Sequence, residues 1–186
     1  RCPAQVHDIK AAIRFLRAIA ATFGITTEKI ASIGSSAGGH LAALVGVTNG
    51  HRELEGRVGD HLEQSSAVSA IVSFYGASNL QSILGQSTEF GLTVRIPALK
   101  LLLGDVPEKV PDLAKLASPV AHLDKQDPPL LLLHGDADPQ MPPAQSAEFA
   151  KAYQGKVRLI TLPGSKHGGD EFYDTEHLRL VADFLR

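Results

Sequence analysis

The pentapeptide Gly-Ser-Ser-Ala-Gly at residues 34–38 is the feature that most restricts how this 186-residue chain can fold. Residues 29–33 before it are a short, β-branched and apolar stretch, and residues 39–45 after it have the small and apolar side chains of a helix. A strand, a sharp turn and a helix with serine at the apex form a nucleophile elbow. Ser36 fits the apex because both residues two positions away are glycines, where we expect a side chain to clash, whereas Ser35 lacks such neighbours. The motif therefore predicts that Ser36 is a nucleophile held above the end of a strand.

Four stretches have the pattern of β-strands, and helical segments alternate with them. The predicted strands are residues 30–33, 68–74, 128–135 and 157–162. The predicted helices are residues 3–24, the elbow helix, residues 143–153, and a last helix that Asp174 or Thr175 caps. A run that is nearly all apolar suits a strand that is buried on both faces of a parallel sheet. The alternation predicts an α/β fold with about four parallel strands flanked by helices.

The first predicted helix carries an apolar stripe, and a polar segment follows the elbow helix. The stripe has helical spacing and consists of Val6, Ile9, Ile13, Leu16, Ala20 and Phe23. Lys10, Arg14 and Arg17 lie off the stripe. Residues 48–66 are polar, charged and glycine-bearing, which predicts a loop.

Residues 78–118 interrupt the alternation of strands and helices. Helical pieces are predicted at residues 79–84, around 97–103 and at 111–117. The segment is too long for a simple crossover between two strands. We therefore expect a helical cap or lid inserted into a single domain that spans residues 1–186.

Three residue types that can form a catalytic triad each follow a predicted strand. Ser36 follows the first strand, Asp136 and Asp138 follow the third, and His167 follows the fourth. The carboxyl ends of parallel strands share one edge of the sheet, where ligands bind. Serine needs a base within hydrogen-bond reach, and the base needs an acid that orients it. The order Ser…Asp…His therefore predicts a triad on this edge.

The acid and the base each have alternatives. Asp138 lies deeper in its loop and is favoured as the acid, whereas Asp136 can be a turn residue that binds backbone N–H groups. Among the eight histidines, His167 is favoured as the base because it lies in a glycine-flanked loop after the last strand. His134, at the end of a leucine-rich strand, is expected to be structural.

Composition argues against several other classes of function. The net charge is −2 and the basic residues are scattered, so no nucleic acid partner is predicted. No apolar run has membrane-spanning length, so no membrane association is predicted. The single cysteine, Cys2, cannot form an internal disulfide. No cysteine cluster or helical pair of histidines has metal-ligand spacing, so neither a metal nor a cofactor is predicted.

Residues 34–42, 134–138 and 167–168 resemble the motifs of α/β-hydrolase-fold esterases. The resemblance is greatest to the acetyl-esterase and feruloyl-esterase-like group, which is related to the hormone-sensitive-lipase type, and it covers essentially the whole chain. It implies a serine hydrolase that cleaves small acyl esters, or acetyl and feruloyl esters on carbohydrate, through an acyl-enzyme.

The resemblance also implies roles for individual residues. Ser36 matches the nucleophile, Asp138 the acid and His167 the general base. Ala37 follows the nucleophile, and its backbone N–H would be one donor of the oxyanion hole.

The chain departs from this group in one respect, because such enzymes have an N-terminal half with further strands and a His-Gly-Gly-Gly-type loop. Nothing like that loop occurs here, so the chain is similar to the C-terminal portion of the fold. We expect the strand at residues 30–33 to be an unpaired edge through which the chain associates, for example as a homo-oligomer. We also expect weak esterase activity, because losing one oxyanion donor costs about 3–4 kcal/mol.

Two other functions are compatible with the same motifs. One is a peptidase of the prolyl-oligopeptidase type, which shares the fold and the Ser…Asp…His order. The other is a hydrolase-like fragment that binds a partner and has no activity. A chromogenic short-chain ester distinguishes an active hydrolase from the inactive fragment.

Overall fold

Four short strands form one parallel sheet in the computed structural model, which describes residues 1–186. The strands are β1 (Ala31–Ser35), β2 (Ala70–Phe74), β3 (Leu130–Gly135) and β4 (Val157–Leu162), in the spatial order β1-β2-β3-β4. Every residue of β2 and β3 is buried, as expected for central strands that are covered on both faces. The α/β prediction with four parallel strands is confirmed, although β2 and β3 begin two residues later than the sequence indicated.

Helices cover both faces of the sheet and form a separate group above its carboxyl edge. The α-helices are α1 (Ala4–Ile19), α2 (Ala37–Gly46), α3 (Arg52–Glu55), α4 (Ile83–Gln86), α5 (Glu89–Leu103), α6 (Pro111–Leu116), α7 (Pro143–Ala152) and α8 (Thr175–Phe184). Single 3₁₀ turns lie at Ala20–Phe23, Pro107–Lys109, Pro119–His122 and Asp170–Phe172. None of these helices is both long and apolar enough to span a membrane.

The two faces of the sheet are unequally covered. One face packs against α2 and α7, with α1 packed on α2, and this side holds the largest apolar cluster. The other face packs against α8, which has no fully buried residue. Ile33 of β1 lies on the α8 side, in register with Val72, and is 51% exposed. β1 pairs only with β2 and is therefore an edge strand.

The packing of α1 corrects the prediction from its apolar stripe. Lys10 and Arg14, which lie off the stripe, are buried, whereas Leu16 and Phe23 on the stripe are exposed. The reason is a second contact of α1, because the Glu55 carboxylate accepts hydrogen bonds from Lys10 Nζ at 3.0 Å and from Arg14 Nη1 at 2.8 Å. A buried cation needs such a partner, which only the folded chain brings to it.

Glu55 also corrects the prediction that residues 48–66 are a simple loop. The segment contains the one-turn helix α3, which places Glu55 against α1. Backbone carbonyl groups of the same segment also bind the two cations. Thr48 O accepts a hydrogen bond from Lys10 Nζ, and Val58 O accepts one from Arg14 Nη2.

Residues 78–118 contain the helices α4, α5 and α6. Their buried side chains form a separate apolar cluster that includes Leu80, Ile83 and Leu99 and is joined by Cys2 and Met141. α5 begins eight residues before the predicted helical piece at residue 97 and continues through Pro97. It lies close to the carboxyl edge of the sheet, because Thr88 Oγ1 donates to Pro139 O at 3.1 Å.

Candidate active site

The turn between β1 and α2 holds Ser36 in a strained backbone conformation. Its φ and ψ are 54° and −118°, and it is one of two non-glycine residues with positive φ. Such strain is found at functional sites, where the surrounding structure maintains it. The Ser36 N–H donates to Phe74 O at 2.9 Å, which ties the turn to the end of β2.

The glycines around this turn are not equally required. A Cβ on Gly34 would clash with the carbonyl of Gly38, and a Cβ on Gly39 would approach Phe74 O to 2.8 Å. A Cβ on Gly38 would meet open space. The expectation that both glycines of the pentapeptide exclude a clashing side chain is therefore right for Gly34 and wrong for Gly38. α2 approaches the sheet closely at Gly39.

Ser36, His167 and Asp138 form one chain of hydrogen bonds. His167 Nε2 lies 2.8 Å from Ser36 Oγ, so that the hydroxyl can donate to the ring. His167 Nδ1 lies 2.7 Å from Asp138 Oδ2 and donates to it. These distances lie within normal hydrogen-bond range. The imidazole thus lies between the hydroxyl and the carboxylate, the arrangement that a base-activated serine requires.

Asp138 is buried and fully hydrogen-bonded. Its Oδ1 accepts from the backbone N–H groups of Gln140 and Met141 at 2.8 and 2.9 Å, and His134 Nε2 lies 3.3 Å from its Oδ2. Burial alone would raise the pKa of Asp138, but the hydrogen bonds from His134, His167 and the two backbone groups outweigh it and hold the pKa well below its usual range. The group is therefore a carboxylate at any pH near neutrality.

The competing acid, Asp136, binds a backbone group of a different loop and makes no hydrogen bond to His167. Its Oδ1 accepts from the Gly164 N–H at 2.7 Å, so it joins the loop after β3 to the loop after β4. The two loops are in close contact, because a Cβ on Gly135 would overlap the Ser165 carbonyl. This contact brings the loop that carries His167 within reach of Asp138.

His134 is buried, as the sequence analysis expected of a structural histidine, and it has a second partner. Ser146 Oγ lies 2.7 Å from its Nδ1, and Met141 O accepts from its Nε2 at 3.1 Å. Because Nε2 also faces Asp138, this histidine helps to fix the position of the carboxylate.

Two tyrosines that were not predicted as site residues lie next to His167 or next to its neighbour. The Tyr75 ring lies edge-on to the imidazole, with centroids 4.8 Å apart, and its hydroxyl is hydrogen-bonded to that of Tyr173 at 2.9 Å. Burial and the Tyr173 hydroxyl raise the pKa of Tyr75 to about 12. Tyr75 is the second residue with positive φ, at 41°. Its position directly after β2, on the same edge of the sheet as Ser36, was the sequence feature that could have identified it as a site residue.

A small cavity of about 80 Å³ opens beside Ser36 and Ala37 and is lined mainly by apolar residues. Its walls include Leu80, Ile83 and Leu99, and two polar side chains, His40 and Arg95, also line it.

The two polar side chains of this lining differ in how they are held. Burial lowers the pKa of His40, whose Nε2 lies 2.7 Å from Ala117 O. Arg95 was not predicted from the sequence, because only the packing of α5 brings it to the site.

The backbone N–H of Ala37 lies at the N-terminus of α2, where it can face an anion. No backbone hydrogen bond outside the regular elements uses this N–H, in contrast to that of Ser36. No group of three or more His, Cys, Asp or Glu side chains is arranged to hold a metal ion.

The chain is similar in sequence and in structure to several known proteins. The BD-FAE protein family matches residues 1–153. Esterase LipQ of Mycobacterium tuberculosis is 31% identical over 98% of this chain and 43% of its own length. A solved truncated carbohydrate esterase from gut microbiota is 35% identical with a TM-score of 0.90, over 99% of this chain and 68% of that one. A bifunctional GH43-CE protein of Bacteroides eggerthii is 36% identical with a TM-score of 0.87, over 99% of this chain and 27% of that one.

The chain spans less than half of the length of each curated relative that it matches. The BD-FAE match at residues 1–153 includes Ser36 and the β1–α2 turn, whereas His167 lies after its end.

Proposed function

The chain belongs to the BD-FAE family, and we propose that it is a serine hydrolase that cleaves carboxylic esters through a covalent acyl-enzyme. The observation that carries the proposal is the hydrogen-bonded chain from Ser36 through His167 to Asp138, built on a strained turn at the carboxyl edge of a parallel sheet. The similarity to proteins named as esterases supports the same reaction.

In the first step, Ser36 Oγ attacks the carbonyl carbon of the ester and its proton passes to His167 Nε2. The new imidazolium is stabilised by Asp138, which is already ionised and bonded to Nδ1. Negative charge develops on the former carbonyl oxygen. The free Ala37 N–H at the start of α2 supplies one donor to that oxygen.

In the second step, the bond between the carbonyl carbon and the alcohol oxygen breaks, and His167 gives its proton to the departing alcohol. The acyl group is then attached to Ser36 Oγ. A water molecule repeats the attack with His167 as base, which releases the acid and restores the serine hydroxyl.

The proposed substrates are esters of small acyl groups, including acetyl groups on carbohydrate. The size of the cavity beside Ser36 favours a small acyl group, because its volume of about 80 Å³ is far below the roughly 300–1,000 Å³ of sites for drug-sized ligands. A feruloyl group, with its aromatic ring, would have to lie outside this cavity. The similar structure that is named as a carbohydrate esterase supports a carbohydrate alcohol.

Ser36→Ala tests the proposal, with Ser35→Ala as the matched control in the same pentapeptide. The variants are assayed with 4-nitrophenyl acetate and labelled with a fluorophosphonate, followed by mass spectrometry of the modified peptide. Ser36→Ala should lose turnover by a factor of about 10³ or more and should lose the label, because the nucleophile is gone. Ser35→Ala should retain both. Labelling of Ser36→Ala at the wild-type rate would contradict the proposed nucleophile.

A further inference from the structure

One charged side chain lies among the mainly apolar residues that line the cavity beside Ser36. Arg95 of α5 lines the cavity together with Ser36 and Ala37. Its Nε is buried and has no hydrogen-bond partner, and no carboxylate lies within ion-pair distance of its guanidinium. A buried donor without a partner costs free energy, and native proteins contain few such groups.

Of the two halves of an ester substrate, the acyl group is the one that this cavity can hold. The departing alcohol must lie beside His167, because that ring gives it a proton. His167 does not line the cavity, whereas Ser36 and Ala37 do. A group that enters the cavity from an ester bound at Ser36 is therefore the part that stays on the serine.

Arg95 is the one charged side chain among the residues that line the cavity. Burial lowers the pKa of its guanidinium and the nearby Asp138 raises it, but arginine stays charged at neutral pH. Asp138 cannot neutralise it directly, because both carboxylate oxygens are bonded to His167 and backbone N–H groups. Burial lowers the pKa of His40, the other titratable group in the lining, which favours its neutral form.

We propose that Arg95 binds a carboxylate at the end of a short acyl chain, so that the site prefers half-esters of small dicarboxylic acids over neutral esters of the same size. Arg95 Nε and one Nη form a planar fork that matches the two oxygens of a carboxylate. Leu80, Ile83 and Leu99 contact the methylene groups between that carboxylate and the ester carbon. The proposal rests on the proposed hydrolase function and assigns the substrate class of that site.

Two pairs of esters, assayed with the 186-residue chain, show whether the preferred substrate has its carboxylate on the acyl side or on the alcohol side. Methyl butyrate and monomethyl succinate differ only in a methyl or a carboxylate at the end of the acyl chain. Ethyl acetate and acetoxyacetate differ in the same way on the alcohol side. Release of the alcohol is followed by NMR. We expect kcat/KM for monomethyl succinate to exceed that for methyl butyrate by about 10-fold or more, with no such preference in the second pair.

Three variants test whether Arg95 is the origin of this preference. Arg95→Met keeps the aliphatic stem and should lower kcat/KM for monomethyl succinate about 10- to 100-fold, while methyl butyrate changes less than about twofold. Arg95→Lys keeps the charge without the fork and should fall between the wild type and Arg95→Met. Lys100→Met is the matched control, because Lys100 is an exposed cation on the same helix. It should leave the preference unchanged.

Binding to a variant without the nucleophile separates this proposal from the proposed function. Ser36→Ala should bind intact monomethyl succinate more tightly than methyl butyrate in ligand-observed NMR, and Ser36→Ala combined with Arg95→Met should not. Selective binding without turnover by the wild type would overturn the hydrolase function and still support the role of Arg95. Equal binding of the two esters, equal losses for both in Arg95→Met, or a carboxylate preference on the alcohol side would overturn the role of Arg95.

Discussion

At the scale of single residues, the site depends on how one carboxylate is held. Asp138 has His167 and His134 on the same oxygen and two backbone N–H groups on the other. Asp136 is only two residues away in the same loop, yet its carboxylate binds Gly164 N–H instead. The same substitution, aspartate to asparagine, can therefore be compared at two positions whose carboxylates have different partners.

Asp138→Asn should lower ester hydrolysis by about 10³-fold or more, with little change in folding. An amide in place of the carboxylate cannot stabilise the imidazolium and can orient His167 in the wrong tautomer. Asp136→Asn is the control, because an amide oxygen can still accept from Gly164 N–H, and it should retain activity within a few-fold. The measurement is kcat with 4-nitrophenyl acetate. A larger loss for Asp136→Asn than for Asp138→Asn would transfer the role of the acid to Asp136.

His40 should make the fold sensitive to acid. Burial lowers its pKa below the ordinary value of 6.5, so the unfolded chain takes up a proton near pH 6.5 that the native chain does not. The free energy of unfolding should therefore fall as the pH decreases below about 6.5, by up to about 1.4 kcal/mol per pH unit from this residue.

His40→Gln keeps a side-chain donor for Ala117 O and removes this proton uptake. The difference in unfolding free energy between pH 7 and pH 5, measured with urea, should be smaller in His40→Gln than in the wild type. An equal difference in both proteins would show that His40 does not contribute to the acid sensitivity.

At the scale of secondary-structure elements, α1 is held by ion pairs as well as by apolar packing. Lys10 and Arg14 are buried beneath it, and both bind Glu55 of α3. Glu55 is 29% exposed, so water screens part of the interaction. The two cations nevertheless have no other carboxylate within ion-pair distance.

Glu55→Gln should lower the free energy of unfolding by about 2–3 kcal/mol, because it leaves two buried cations without an anionic partner. The expected loss is below the usual range for a fully buried pair, since Thr48 O and Val58 O still accept hydrogen bonds. Glu53→Gln, an exposed position on the same helix, is the control and should change stability by less than about 0.5 kcal/mol. Urea unfolding measures both variants, and equal effects would contradict the role of Glu55.

At the scale of the whole molecule, the sheet has an open edge and an under-covered face next to it. β1 pairs only with β2, and Ile33 on its α8 side is half exposed. An unpaired strand edge beside exposed apolar side chains favours association with another chain. We propose that the isolated 186-residue chain self-associates through β1.

Ile33→Lys should shift the chain toward the monomer, because a lysine at an edge strand opposes pairing with another strand. Leu101→Lys is the control, since Leu101 is 79% exposed on α5, in the separate helical group. Size-exclusion chromatography with light scattering over a range of concentrations measures the mass of each variant. A wild-type chain that is monomeric at all concentrations, or an equal effect of both lysines, would contradict association through β1.

The sequence alone determined the sheet, its parallel strands and the set of residues at its carboxyl edge. β3 begins with four consecutive leucines and is buried along its whole length, and the glycine-flanked Ser36 has a local backbone requirement that can be recognised without a structure. Because parallel strands end on the same side, Ser36, His167 and the two aspartates could be assigned to one edge. These features depend on local pattern and on a general property of parallel sheets.

Only the tertiary structure decided which of these groups touch and what surrounds them. The choice between Asp136 and Asp138 depends on the contact between two loops, and the burial of Lys10 depends on Glu55, 45 residues away. Arg95 reaches the cavity beside Ser36 because α5 packs over the edge of the sheet. Such contacts join segments distant in sequence, and they result from the packing of complete elements, which no local pattern of residues records.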